Sequence, residues 1–177
     1  MNIDPSKIQI KSTKVYYLRM EHRPAQKQFA KAEVSFALLS KPTPVEDYLE
    51  LYGGVGLKWN WLDRLVIPQE ELYKKINEPN THIYVMKVDG HKAGFVELVI
   101  EHDFVELLYF GLMPAFIGKG YGKYFLDWTI QEAWSYSPKW LQLNTCDLDH
   151  EYALSNYRKL GFIDYTSSFE DRKVLIK

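Results

Sequence analysis

Residues Phe110 to Phe125, FGLMPAFIGKGYGKYF, hold the residue types in this chain best suited to gripping an anion. An apolar run stops at Pro114, glycines follow at alternate positions 118, 120 and 122, and an aromatic-rich helical pattern begins at once. Glycine takes positive φ and lets the backbone approach a ligand, so successive N–H groups can converge on a phosphate where a helix starts. Lys119 and Lys123 add positive charge. Two common phosphate loops do not fit. A dinucleotide fingerprint counted from Gly118 needs glycine where Lys123 stands. A P-loop needs glycine at 117 and a hydroxyl residue at 124, where the chain has Ile117 and Tyr124.

A second segment, Asp149 to Phe162, reads DHEYALSNYRKLGF. Together the two segments resemble motifs A and B of the GNAT acetyltransferase superfamily. The order apolar strand, short linker, GxGxG and amphipathic helix matches motif A. Ala153, Tyr157, Gly161 and Phe162 match the spacing of motif B. Two positions depart from the usual pattern: Ile117 stands in place of Arg or Gln, and His150 in place of Asn. Both are ordinary in an uncharacterised bacterial subgroup with FIG(R/K)G and LDHP-like motifs, which the chain resembles more closely. The resemblance covers residues 81–165 well and 1–80 loosely, through WNWLDRL.

The resemblance implies an α/β GNAT fold, with a mixed, mostly antiparallel sheet, splayed central strands and helices on both faces. It implies acetyl-CoA as cosubstrate, held by Leu112, Met113, Ile117, Gly118, Lys119, Gly120, Tyr121, Gly122, Lys123, His150 and Tyr157. The expected reaction is direct N-acetyl transfer to a primary amine of a small molecule or peptide. The rival is a non-catalytic acyl-CoA-binding or regulatory module, kept open by Ile117 and His150. Such transfer needs a neutral nucleophile, a site for an oxyanion and a proton for the thiolate. An amine of pKa roughly 10 is mostly protonated at neutral pH, so a carboxylate base is useful. Glu106, at the start of its strand in the register of some GNAT bases, is the candidate base; the alternative is an outward strand residue. Tyr157 is the candidate donor to the thiolate, or else a packed helix tyrosine. The backbone of Leu112 is the candidate oxyanion site. Cys146 allows a ping-pong route in principle, although a lone cysteine is more often a small buried apolar residue. Trp59, Trp61, Asp63 and Arg64 are candidates for the acceptor wall, with core or lid anchors as the alternative. The five histidines show no metal-binding spacing, and no metal is expected.

The elements that must position these groups read as follows. Val15 to Met20 and Glu33 to Ser40 are strands; Val45 to Tyr52 is a helix closed by Gly53 and Gly54; Pro68 to Ile76 is a helix with a solvated face. Thr81 to Val88, His91 to Ile100 and Phe104 to Leu112 form an antiparallel meander turned at Asp89-Gly90. The strand is expected to bulge or splay between Gly111 and Pro114. Helix 120–134 and strand 140–143 complete a parallel crossover. Asp149 is the expected N-cap of helix 150–160, Gly161 its C′ residue, and Phe162 to Tyr165 pairs with Lys173 to Ile176.

At 177 residues and 46% hydrophobic content, one domain spans 1–177, with its cofactor core in 81–165 and its acceptor side in 1–80. A net charge of −1 gives no field for nucleic acid. One cysteine excludes an internal disulfide. The N-terminus lacks the order of a signal peptide and no apolar run approaches about 18 residues, so no membrane partner and a cytoplasmic location are expected. Dimers being the commonest soluble oligomers, a homodimer is compatible with the sequence.

Overall fold

A computed structural model of the chain describes residues 3–176. In chain order it runs β1 (Ile8–Met20), β2 (Val34–Leu38), α1 (Val45–Gly56), α2 (Asp63–Val66) and α3 (Gln69–Ile76). Then follow β3 (Thr81–Val88), β4 (His91–Ile100), β5 (Phe104–Leu112), α4 (Tyr121–Ser135), β6 (Trp140–Cys146), α5 (Ala153–Lys159) and β7 (Ile163–Leu175). The strands form one sheet in the order β2-β3-β4-β5-β6-β1-β7. Every pairing is antiparallel except β5 with β6.

The β3–β4 turn has Asp89 at φ 47 and Gly90 at φ 77, the two consecutive positive φ values of a type I′ hairpin turn. The alternation of β4 then sends side chains to two cores. Val96 and Leu98 join Phe125, Ile130, Leu141 and Leu143 under α4. Phe95 joins Tyr48, Leu51, Tyr52 and Leu72 under α1 and α3. Phe36 of β2 stacks on Trp128 of α4 at 4.0 Å between ring centroids, holding the edge of the sheet to that helix.

Four local expectations are corrected. Helix α1 is not closed by Gly53 and Gly54 but runs on to Gly56, because neighbours occupy the space that side chains would fill. A Cβ on Gly54 would meet Met113 Sδ at 2.7 Å, and one on Gly56 would meet the Trp61 ring at 2.3 Å. Secondly, the C-terminal segments do not pair with each other: β7 is one strand of 13 residues, laid against a β1 that begins at Ile8 rather than Val15. Thirdly, the irregularity in β5 is not at Gly111, which pairs with Phe95; the register shifts opposite Glu97 and Leu98, leaving Leu108 as the extra residue. Gly111 is there for proximity, since a Cβ would lie 2.5 Å from Val55. Lastly, α5 begins at Ala153 after Tyr152, so Asp149 does not cap it. The C-terminus of α5 does follow the expected glycine stop: Gly161 has φ 103 and Phe162 N–H donates to the Tyr157 carbonyl at 3.2 Å, the six-to-one bond of a Schellman ending.

Candidate active site

Strands β5 and β6 pair at only three positions, ending at Glu106 with Gln142. Beyond them β5 stays on β4 while β6 follows β1, and the sheet opens. Met113 N–H donates to Ala93 O at 2.9 Å. By the antiparallel period, Gly111 also turns its polar groups to β4, whereas Phe110 and Leu112 turn theirs into the opening. Main-chain donors and acceptors without strand partners therefore line the gap.

The chain leaves β5 through a short 3-10 turn, Pro114–Phe116, and reaches α4 through Gly118 and Gly120 at φ 78 and 81. No atom lies within 4 Å of a Cβ built on either glycine, so conformation and not crowding requires them. Among the described loop and turn hydrogen bonds, the N–H groups of Gly118, Lys119 and Gly120 have no backbone acceptor. The first N–H groups of α4 are free by helix geometry. This is a row of convergent donors at the positive end of a 15-residue helix, suited to a diphosphate.

Gap and loop open into a cleft of about 540 Å³, within the range of ligand sites. Its walls include Leu112, Ile117, Gly118, Gly122 and Lys123 from the end of β5, the glycine loop and α4, His150 and Tyr157 from the segment after β6, and Trp59, Trp61 and Asp63 from the segment after α1. The sequence profile of the Acetyltransferase (GNAT) family matches residues 45–162, which contain the whole opening and both motifs. The chain belongs to the GNAT acetyltransferase family.

Solved structures agree on the GNAT fold. A conserved protein of unknown function from Staphylococcus epidermidis superposes with TM-score 0.65 at 16% identity, over 99% of this chain and 69% of its own. A GNAT-family protein from Novosphingobium aromaticivorans gives 0.62 at 13%, over 99% and 70%. An aminoglycoside acetyltransferase from an uncultured soil metagenomic sample gives 0.58 at 15%, over 72% and 86%. No curated protein matches the chain.

Six residues expected at the GNAT site stand outside the walls of the cleft. Met113 packs toward Gly54 and its N–H is engaged by Ala93. Lys119 lies over the Phe116 ring at 5.7 Å, Tyr121 packs on the same ring, and Gly120 is the residue preceding α4. Arg64 is buried: Nη2 donates to Glu97 Oε1 at 2.9 Å, and the Tyr48 hydroxyl donates to Oε2 at 2.6 Å. Burial pushes the Glu97 carboxyl up, against the pull of Arg64 and Tyr48. Burial also pushes the Arg64 guanidinium down, but Glu97 and three tyrosines outweigh it. Arg64 thus braces the cleft wall at Tyr109 from behind, its guanidinium 5.6 Å from that ring.

Glu106 sits half-buried, one residue before the cleft wall begins at Leu107. Burial, then the charge of Glu101, raises its carboxyl above the ordinary glutamate value, with Gln142 opposing. Lys123 lines the cleft, with Nζ 2.7 Å from Asp127 of its own helix. His150 accepts the Tyr152 N–H on Nδ1 at 3.2 Å and packs on Trp59 at 5.1 Å. Nδ1 being an acceptor, the neutral ring carries its proton on Nε2. The Tyr157 hydroxyl is held well above its ordinary pKa by burial and then by the charge of Asp149; it is protonated at neutral pH and a weaker acid than an exposed tyrosine. Asp63 is paired with Lys173 at 2.9 Å.

Sequence reasoning did not include Tyr52, Tyr109, Asn144, Asp149 or Arg172 among the site residues, and all five line the cleft. Tyr52 and Tyr109 pack edge to face at 4.9 Å; no local spacing connects residues so far apart in sequence. Cys146 also lines the cleft, but burial, then Asp149, raises its thiol. A thiolate is disfavoured there, which argues against an acyl-cysteine route. Among the described residues no group of three or more His, Cys, Asp or Glu is placed to hold a metal. No described helix is long and apolar enough to cross a membrane.

Proposed function

We propose that this protein transfers an acetyl group from acetyl-CoA to a primary amine by direct attack, within the opening between β5 and β6. The observation that carries this reading is the opening itself: polar main-chain groups of β5 without strand partners, continuous with the unpaired N–H groups of Gly118 to Gly120. Acetyl-CoA supplies an activated thioester carbonyl. Gly118, Gly122 and the start of α4 hold its diphosphate, with Lys119 and Lys123 adding charge. The Leu112 N–H, turned into the gap, stabilises the developing oxyanion. The new C–N bond forms as the C–S bond breaks; the amine proton goes to a base and the thiolate takes a proton from Tyr157.

Glu106 is our candidate base. The two carboxylates in the cleft wall, Asp63 and Asp149, already hold other partners. Glu106 lies just beyond the wall, so its proton transfer runs through water. A raised carboxyl pKa makes it the stronger base. Activity should rise with pH through that pKa, because only the ionised form accepts a proton. Glu106→Gln should lower turnover about 100-fold and abolish this pH limb, with acetyl-CoA affinity unchanged. Tyr157→Phe should slow turnover only about tenfold, since a thiol of pKa roughly 8.5 is a tolerable leaving group.

The acceptor is a small-molecule or peptide amine, bordered by Trp59, Trp61 and Asp63. The experiment is release of free CoA thiol over an amine panel of polyamines, amino acids, peptides and aminoglycosides. The last are included because one structural neighbour is an aminoglycoside acetyltransferase. A second reading, an acyl-CoA-binding module without chemistry, is favoured by Glu106 standing outside the cleft wall and by the departures at Ile117 and His150. Cofactor binding with no thiol release over the whole panel would favour that second reading.

A further inference from the structure

Asp149 joins the two ends of the cleft. Its Oδ1 accepts the indole N–H of Trp61 at 3.2 Å, from the acceptor wall. Its Oδ2 accepts the Thr145 hydroxyl at 2.6 Å and the Cys146 N–H at 3.0 Å, at the end of β6 where the sheet has opened. Three donors converge on one carboxylate. An amide, with one acceptor oxygen and an NH2 group, cannot serve all of them.

Trp61 is fixed on its other sides. The Gly56 backbone sits where only a missing Cβ admits the ring, and the ring packs on Tyr52, Tyr109 and Phe95 at 5.7, 5.3 and 6.4 Å. On the opposite side, the residues around Asp149 form the irregular turn between β6 and α5, and Leu148 and His150 of that turn line the cleft together with Cys146 at the end of β6. This turn lines the opening, and it reaches Trp61 through Asp149.

Resting on the acetyl-CoA reading above, we infer that Asp149 is a positioning residue that ties the acceptor-side indole of Trp61 to the cofactor-side turn. Occupation of the opening by acetyl-CoA then changes the hydrogen-bond environment of Trp61. A side chain that merely tidied the end of β6 would not transmit ligand binding to an indole 88 residues earlier in the chain.

The test follows the indole N–H resonances of 15N-labelled full-length protein during titration with acetyl-CoA, with binding measured in parallel by calorimetry. The chain has five tryptophans, and Trp61→Phe assigns the Trp61 signal. Trp134 and Trp140 donate to Met20 Sδ and Gln142 Oε1, away from Asp149, and serve as internal references. The expected result is a Trp61 shift that saturates with binding while the references stay still, and loss of that shift in Asp149→Asn although acetyl-CoA still binds. Binding with an unmoved Trp61 signal overturns the inference and leaves the acetyl-CoA reading intact, as does a full response in Asp149→Asn. Absence of binding by the wild-type protein contradicts the acetyl-CoA reading and takes this inference with it. If Asp149→Asn does not fold, Thr145→Val removes one β6 anchor and must diminish the response; an undiminished response overturns the inference.

Discussion

Replacing Gly120 by valine should weaken acetyl-CoA binding about 100-fold while leaving the protein folded. The residue stands at φ 81 immediately before α4, a conformation that a β-branched side chain adopts only with strain. No atom lies within 4 Å of the new Cβ, so nothing in the protein core is displaced. The loss comes from turning away the N–H groups that converge on the diphosphate. Two charge-assisted hydrogen bonds at about 1.5 kcal/mol each amount to roughly a hundredfold in affinity. Gly90→Val is the matched control. It has a similar φ of 77 and the same empty surroundings, but lies in the β3–β4 turn, whereas Gly120 lies between Gly118 and Gly122, which line the cleft. It should lower the melting temperature and leave acetyl-CoA affinity unchanged. Equal affinity losses in the two variants, measured by calorimetry, would separate the glycine loop from the cofactor.

Arg64→Ala should destabilise the fold by about 3–5 kcal/mol, because it leaves Glu97 as a buried charge without its partner. The Glu97 side chain is 0% exposed and that of Arg64 10%, so water cannot take over from the guanidinium. The Tyr48 hydroxyl alone remains, and the carboxyl pKa, already raised by burial, must climb further. Replacing both partners with apolar residues, Arg64→Met with Glu97→Leu, should recover most of the loss, since the desolvation of both charges disappears with them. Urea denaturation of the two variants decides the point. If Arg64→Ala costs no more than an exposed lysine would, the ion pair is not what braces this wall of the cleft.

The parts of this site that were legible in the sequence are those whose signals are local. Gly118 and Gly120 announce positive φ by being glycine beside a helix start. Asp89-Gly90 announces its hairpin, and strands β3 to β5 show as apolar runs between turn residues. The parts that were not legible depend on partners far away in the chain. Asp149 has the composition of an N-cap, yet its carboxylate is claimed by Trp61, Thr145 and Cys146. Gly53 and Gly54 look like a helix end, but α1 continues past them because Met113 and Trp61 pack into the space the glycines of that helix leave. Asp63 and Arg64 read as a local ion pair beside two tryptophans, but each has a distant partner: Asp63 pairs with Lys173, and Arg64 with Glu97, 33 residues on. The first half of β1 has the polar Lys11, Ser12 and Lys14 of a surface segment and becomes strand only because β7 lies beside it.

The central claim is that the opening between β5 and β6 holds acetyl-CoA. Calorimetric titration of the purified protein with acetyl-CoA tests it most directly. One-site saturable binding at micromolar affinity, about −8 kcal/mol, is the predicted result, and it should weaken about 100-fold in Gly120→Val but not in Gly90→Val. No binding by folded wild-type protein would contradict the claim.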